Sequence, residues 1–243
     1  MTPFERHGIG HLSPSSLALY RAAPALWVLR YLFGVHDDVT AYAWRGKAIE
    51  TAVEAVIDGA SDEQAVAVAM QAFEKDAGGE IAPEIDRERH AIPNMVQQAA
   101  PIFRQLGIPV ARQRRIEVWI DGIEIPVLGF ADFLFDGVVI ELKTTYAIPS
   151  SPRFDHCVQV VTYADALTAL PALLYISPKR RAVHGANSID AIAARRTLRL
   201  TAFAIRAMLA AAETKEAAAA FFVPGNDYRW SDATRSAAAG VWS

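Results

Sequence analysis

Apolar residues recur at helical spacing through the first 110 positions, switch to strand-like alternation between 112 and 144, and return to helical spacing afterwards. Ser13-Pro14 predicts a helix start, with Ser at the N-cap and Pro at the first helical position, followed by Leu17, Tyr20, Pro24, Trp27, Leu29 and Tyr31. Further helices are predicted over 40–58, over 61–77 (capped by Ser61 or Asp62 and closed by Gly78-Gly79), and over roughly 84–106, ending at Gly107. Pro93 and Pro101 are expected to break or bend the last of these. In the middle, 112–121 alternate with Ile116, Val118 and Ile120 on one face, Asp121-Gly122 marks a turn, and 123–135 run back. Asp136-Gly137 marks a second hairpin leading into 138–144. A helix over 154–169, a short strand from Leu173 to Ser177, an Ala-rich helix over 188–219 and an irregular tail complete the prediction.

This order of elements implies a single α/β domain over 1–243: a mainly helical part (1–110), a core sheet with flanking helices (111–220) and a C-terminal tail (221–243). At 52% apolar and 21% charged residues, 243 residues suffice for one sizeable core. No apolar run is long enough to span a bilayer, and the N-terminus lacks a basic region followed by an apolar one. The single cysteine, Cys157, excludes an intramolecular disulfide and a Cys-based zinc or iron–sulfur site within one chain. The expectation is a cytoplasmic protein with no membrane association. Net charge is −3, yet Arg112, Arg114 and Arg115, Lys179 to Arg181, and Arg195, Arg196, Arg199 and Arg206 form basic clusters that are candidates to track a phosphate backbone.

The candidate chemistry lies in the 129–143 hairpin, GFADFLFDGVVIELK. Strand periodicity sends Glu141 and Lys143 to one face, and the Asp136-Gly137 turn brings Asp132 back towards Glu141. Two carboxylates and a lysine are the minimum equipment for metal-assisted phosphodiester hydrolysis: the acids suit a hard divalent cation, and the lysine orients water or offsets charge on phosphate. From the residues alone, a metal site and a structural ion pair are equal alternatives. Gln159 and Tyr163 share a face of the following helix at i,i+4 spacing. Lys47, Glu50 and Glu54 lie beside the Ile49, Val53, Val56 stripe of an earlier helix, where the plain reading is a salt-bridged solvent face.

Five segments in order resemble the PD-(D/E)XK nuclease superfamily, in particular its RecB-type and phage-exonuclease branch. LSPSSLALYRAAPALWVLRYLFG resembles the opening segment, RGKAIE the Gly-x-x-x-His helix, GFADF the Gly-x-x-Asp strand, IELKT the (Asp/Glu)-x-Lys strand and QVVTY the Gln-x-x-x-Tyr helix. The resemblance implies a restriction-endonuclease-like core, a central mixed sheet flanked by helices with an N-terminal helical elaboration. It further implies Asp132, Glu141 and the Leu142 carbonyl as ligands of a catalytic Mg²⁺ or Mn²⁺, Lys143 acting on the attacking water, and Gln159 and Tyr163 holding DNA and the active-site loop. Glu50 stands where the family commonly has a His ligand, and as a carboxylate it is a competent ligand for the same ions. The C-terminal cysteines that bind an iron–sulfur cluster in many relatives are absent, and Tyr228, Trp230 and Trp242 are expected to secure the tail instead.

The activity expected is that of a metal-dependent exonuclease acting on linear DNA, single- or double-stranded, in phage or bacterial recombination or repair. An endonuclease on the same core and a catalytically idle DNA-binding subunit are the alternatives. A homo-oligomer and a single-strand-annealing or single-strand-binding protein are the candidate partners.

Overall fold

Capping residues set most helix starts in the computed structural model, which describes Met1–Ser243. In α2 (Pro14–Ala22), the Ser13 hydroxyl accepts the Ser16 N–H and the Ser16 hydroxyl accepts the Ser13 N–H, with Pro14 in the first turn. A similar reciprocal cap starts α5 (Asp62–Ala77) from Ser61 and Gln64, and Gly78 ends it at φ 60°. The remaining early helices are α1 (Pro3–Arg6), α3 (Pro24–Leu32), α4 (Ala41–Ile57) and α6 (Pro83–Leu106). Pro24 divides the predicted opening helix in two, as expected of a residue that supplies no N–H to the preceding turn.

Of the expected break or bend at Pro93 and Pro101, the break does not occur: α6 runs on through both. Both lie off the buried stripe formed by Ile92, Met95, Val96, Ala99, Ala100 and Phe103. The carbonyls they free therefore stay within reach of water, while the apolar stripe holds the helix on the sheet.

The sheet runs β1 (Ala111–Val118), β2 (Val127–Phe135), β3 (Val138–Thr144), β4 (Leu170–Ile176) and β5 (Arg181–His184), in that spatial order. The β3–β4 pair is parallel and the others antiparallel. α7 (Phe154–Ala166) crosses between β3 and β4, and α8 (Ala191–Ala211), α9 (Lys215–Ala219) and α10 (Asp232–Val241) follow. β5 and α10 were not anticipated, and the predicted 188–219 helix is divided into α8 and α9 at Ala212. The 121–122 turn is present, but the strands stop at Val118 and restart at Val127, so the connection is wider than a two-residue hairpin.

Two cores sandwich the sheet. Val139, Leu173 and Tyr175 pack with α7, α8 and the α2–α3 region on one side. Ile140, Leu142 and Leu174 pack with α4, α5 and α6 on the other. This is the mixed, helix-flanked sheet expected. The tail is held by Trp242, whose Nε1 donates to the carbonyls of Ala219 (3.0 Å) and Phe222 (2.9 Å), and by buried Trp230. Tyr228 is 85% exposed and takes no part in packing the tail, which corrects one expectation.

One polar cluster is buried in the α4–α6 layer. Arg45 is fully buried and ion-paired to Glu88 of α6, and its Nη2 donates to Thr144 Oγ1 at the end of β3 (3.2 Å). Its guanidinium lies over the Tyr42 and Tyr146 rings, at 4.6 and 5.0 Å from their centroids. Arg45 lies five residues before Glu50, so the pair fixes the helix that carries Glu50 against both α6 and the sheet.

Candidate active site

The facing of β2 changes at Asp132. Val127 and Ala131 pack into the α7-side core, whereas Phe133 and Phe135, at the same parity, pack into the α4–α6 side. The β2–β3 ladder extends only over Phe133↔Ile140, Leu134↔Val139 and Phe135↔Val138. The two strands therefore part where Asp132 and Glu141 would have paired next. Asp132 Oδ2 accepts the Leu142 N–H (2.8 Å), replacing a ladder bond with a bond between a carboxylate and a main-chain donor. Opposite Asp132 on the edge strand, Gln113 adopts φ 46°, an uncommon value for a non-glycine residue, and its Nε2 donates to Asp132 Oδ1 (3.4 Å). Gln113 was not singled out from sequence. A lone Gln in a charged strand carries no signal until the strand's twist places it on the carboxylate.

Glu141 and Lys143 face α7, as strand periodicity requires. Lys143 Nζ donates to Glu141 Oε1 (2.9 Å) and to Gln159 Oε1 (2.9 Å), while Gln159 Nε2 donates to Glu141 Oε1 (2.6 Å) and to the Tyr163 hydroxyl (3.1 Å). The i,i+4 pair on α7 thus braces the acid–lysine pair rather than standing apart from it. Gly129 makes this fit possible: a Cβ there would lie 2.5 Å from Tyr163 Cε1 and 2.7 Å from its hydroxyl.

Glu50 lies within electrostatic reach of Asp132 and Lys143. The expected solvent-face bridge within α4 does not form, because Lys47 pairs with Asp76 of α5 instead (2.9 Å). Burial pushes Glu50 up to about 7, helped by the Asp132 carboxylate and opposed by Lys143. Burial likewise raises Glu141 to about 8, again with Asp132 adding to it and Lys143 opposing. Asp132 is raised by burial against the pull of Lys143 and the Leu142 N–H. Burial works against the charge of Lys143, but the carboxylates of Glu141, Asp132 and Glu50 outweigh it and raise its pKa. Burial and the Glu141 charge raise the Tyr163 phenol as well.

Three carboxylates thus share one ammonium in a water-poor setting, and Glu141 Oε2 is buried without any hydrogen-bond partner. No three His, Cys, Asp or Glu side chains converge into a ready-made metal cage. The donor set nevertheless fits a hard divalent cation: carboxylate oxygens, one of them orphaned, in a pocket short of positive charge.

The basic clusters divide. Arg112 pairs with Asp58 (2.6 Å), Arg195 with Asp165 (2.7 Å) and Arg206 with Glu124 (2.5 Å), so these guanidiniums are occupied by neighbouring carboxylates. Beside the site, a cleft of about 470 Å³ opens between the start of α2, the β1–β2 ribbon and α7, lined by His11, Ser15, Arg115, Phe130, Gln159 and Tyr163, among others.

A five-stranded mixed sheet that splits at an Asp, with a Glu-x-Lys strand beside it and helices on both faces, defines a nuclease-type α/β core. The sequence profile of the PD-(D/E)XK nuclease superfamily matches residues 11–228, and the chain belongs to that superfamily. A crystal structure of a candidate exonuclease from Eubacterium rectale superposes with TM-score 0.55 at 12% identity, covering 93% of this chain and 88% of the other. That likeness shows the fold. The structure of SSO0001 aligns at TM-score 0.35 and 18% identity, over 74% of this chain and 84% of its own, too distant to carry an argument. No curated protein matches the sequence. No helix is long and apolar enough to cross a membrane.

Proposed function

We propose that this chain is a divalent-metal-dependent deoxyribonuclease that degrades linear DNA from its ends, of the RecB-type and phage-exonuclease branch. The observation that carries the reading is the buried pair Asp132 and Glu141 with Lys143 beside them, Gln159 bridging Glu141 and Lys143, and the half-buried Glu50 within electrostatic reach. Glu50, Asp132, Glu141 and the Leu142 carbonyl would hold Mg²⁺ or Mn²⁺. Such an ion, when bound, polarises phosphate oxygens and lowers the pKa of water.

The protein's own part follows from the geometry. Lys143, kept cationic by its carboxylate neighbours, presents donors towards the position of an attacking water and offsets negative charge developing on the phosphate. Gln159 fixes Lys143 and Glu141 relative to each other, and Tyr163 anchors Gln159. The Leu142 N–H and Gln113 hold Asp132 in one rotamer. Pre-positioning of this kind lowers the reorganisation needed at the moment of reaction.

Digestion of linear and closed circular DNA in Mg²⁺, in Mn²⁺ and in EDTA tests the reading. The expected result is metal-dependent loss of linear DNA, sparing of circles, and a Lys143→Ala variant that still binds DNA but cleaves at least ~100-fold more slowly. Cutting of circles would establish an endonuclease instead. Lys143→Ala cleaving at the wild-type rate would remove the role given to that residue.

A further inference from the structure

Phe130 and Arg115 are direct cross-strand partners on β2 and β1, so their side chains stand next to each other on one face of the ribbon. Both are open to solvent: Phe130 is 54% exposed and the Arg115 side chain 57%. They form one wall of the cleft whose other residues include Gln159 and Tyr163. Gln159 in turn bonds Glu141 and Lys143. A strand lying in this cleft between Phe130 and Gln159 therefore comes within one side chain of the Glu141–Lys143 pair.

We infer that this cleft is a binding site for unpaired DNA, in which Phe130 stacks on a base and Arg115 takes an adjoining phosphate. The inference rests on the nuclease reading and specifies the substrate of that site as single-stranded or frayed ends. Three observations lead there. A half-open phenyl ring two residues from a buried catalytic carboxylate leaves apolar surface in water that a base face would cover. The cleft has the volume of a small-ligand site, suited to a nucleotide or two rather than a duplex. Beside the ring, both ends of the Gln159 amide are already engaged, by Glu141, Tyr163 and Lys143, and are not free to read a base. The Phe130 ring offers a face that every base satisfies, so the contact inferred here is stacking and charge and does not depend on sequence. Arg115 contacts Glu117 only through an exposed bridge at 3.2 Å, which a phosphate displaces at little cost.

The test is fluorescence anisotropy with a labelled oligothymidylate and with a blunt duplex of equal length, in Ca²⁺ and in EDTA, over a salt series. Wild type is expected to bind the unpaired strand more tightly than the duplex. Phe130→Ala should weaken binding to oligothymidylate about 5- to 150-fold, the range of one lost base–aromatic stack. Phe130→Trp should keep the affinity. Arg115→Gln should lower the slope of log K against log salt by about 0.7, one phosphate contact on a single strand. Circular dichroism and urea midpoints check that the variants are folded, which the exposure of both side chains favours. Wild-type affinity in Phe130→Ala, or tighter binding to the blunt duplex, would overturn the inference while leaving the nuclease reading intact. Failure of the wild type to bind or cut any DNA would overturn both.

Discussion

The contact between Gly129 and Tyr163 offers the sharpest test of how the site is held. Gly129→Ala would place a methyl group 2.5 Å from Tyr163 Cε1, 2.7 Å from its hydroxyl and 2.9 Å from Cζ. Gly129 carries no left-handed backbone angle, so the cost is steric and not conformational. Tyr163 is only 4% exposed, so its ring is held among packed neighbours. Overpacking of a tight interior site costs about 1–3 kcal/mol, and losing the Gln159–Tyr163 bond adds about 1 kcal/mol. Alanine in a strand recovers some of this, roughly 0.5–1 kcal/mol, by limiting the unfolded chain. The net expectation is about 1–3 kcal/mol of destabilisation, read as a lower urea midpoint at constant slope.

A double-mutant cycle isolates the contact. Tyr163→Ala alone should cost about 3–5 kcal/mol as a large-to-small core change. With the ring gone, adding Gly129→Ala should stabilise by about 0.5–1 kcal/mol, giving a coupling energy of about 2–4 kcal/mol. Tyr163→Phe should not relieve the clash, since Cε1 and Cζ remain. Nuclease activity should fall in Gly129→Ala, because displacing Tyr163 moves Gln159 and with it the Glu141–Lys143 pair. Additivity within about 0.5 kcal/mol, or a Gly129→Ala protein as stable and active as wild type, would refute the argument.

Other expectations follow from the same structure. Glu88→Ala should cost about 3–5 kcal/mol by leaving Arg45 buried and unpaired, a melting shift of roughly 6–20 °C, whereas Arg45→Met with Glu88→Leu should restore most of it; a single variant losing under about 1 kcal/mol would contradict this. Gln113→Gly relieves the φ of 46° while deleting the contact to Asp132, so stability should stay within about 1 kcal/mol of wild type as cleavage slows; unchanged cleavage would remove Gln113 from the site. Because Glu141 is raised to about 8 and Glu50 to about 7, the folded metal-free protein binds these protons more tightly than the unfolded chain, and their stabilisation is lost as pH rises through those values. His156, driven down to about 3 by burial and the nearby Lys143 charge, acts oppositely, contributing above about 6.5 and losing that contribution as pH falls. Denaturation of metal-free protein between pH 6.5 and 8.5 should therefore show stability falling with pH, and Glu141→Gln should flatten the decline; an unchanged slope in that variant would refute the assignment.

The parts of the site legible in the sequence were those set by local periodicity. Glu141 and Lys143 share a face because they lie two apart in a strand, Gln159 and Tyr163 because they lie four apart in a helix. The Asp136-Gly137 turn, with Gly137 at φ 71°, joins the two strands as anticipated. Glu50 was legible only through its place in a family pattern, since its helix by itself reads as a solvent-facing charge stripe.

The sequence by itself determined the order of the main helices and strands, β5 and α10 excepted, the opposed faces of β3 and the residue types gathered for hydrolysis, because each depends on neighbours within a few positions. Only the tertiary structure decided that β2 changes facing at Asp132, that Gln113 meets it from the edge strand, that Lys47 turns to Asp76 and leaves Glu50 to the site, and that Arg45 and Glu88 bury together. Those outcomes depend on how sheet twist and helix packing bring distant residues into contact, and no short-range pattern encodes that contact.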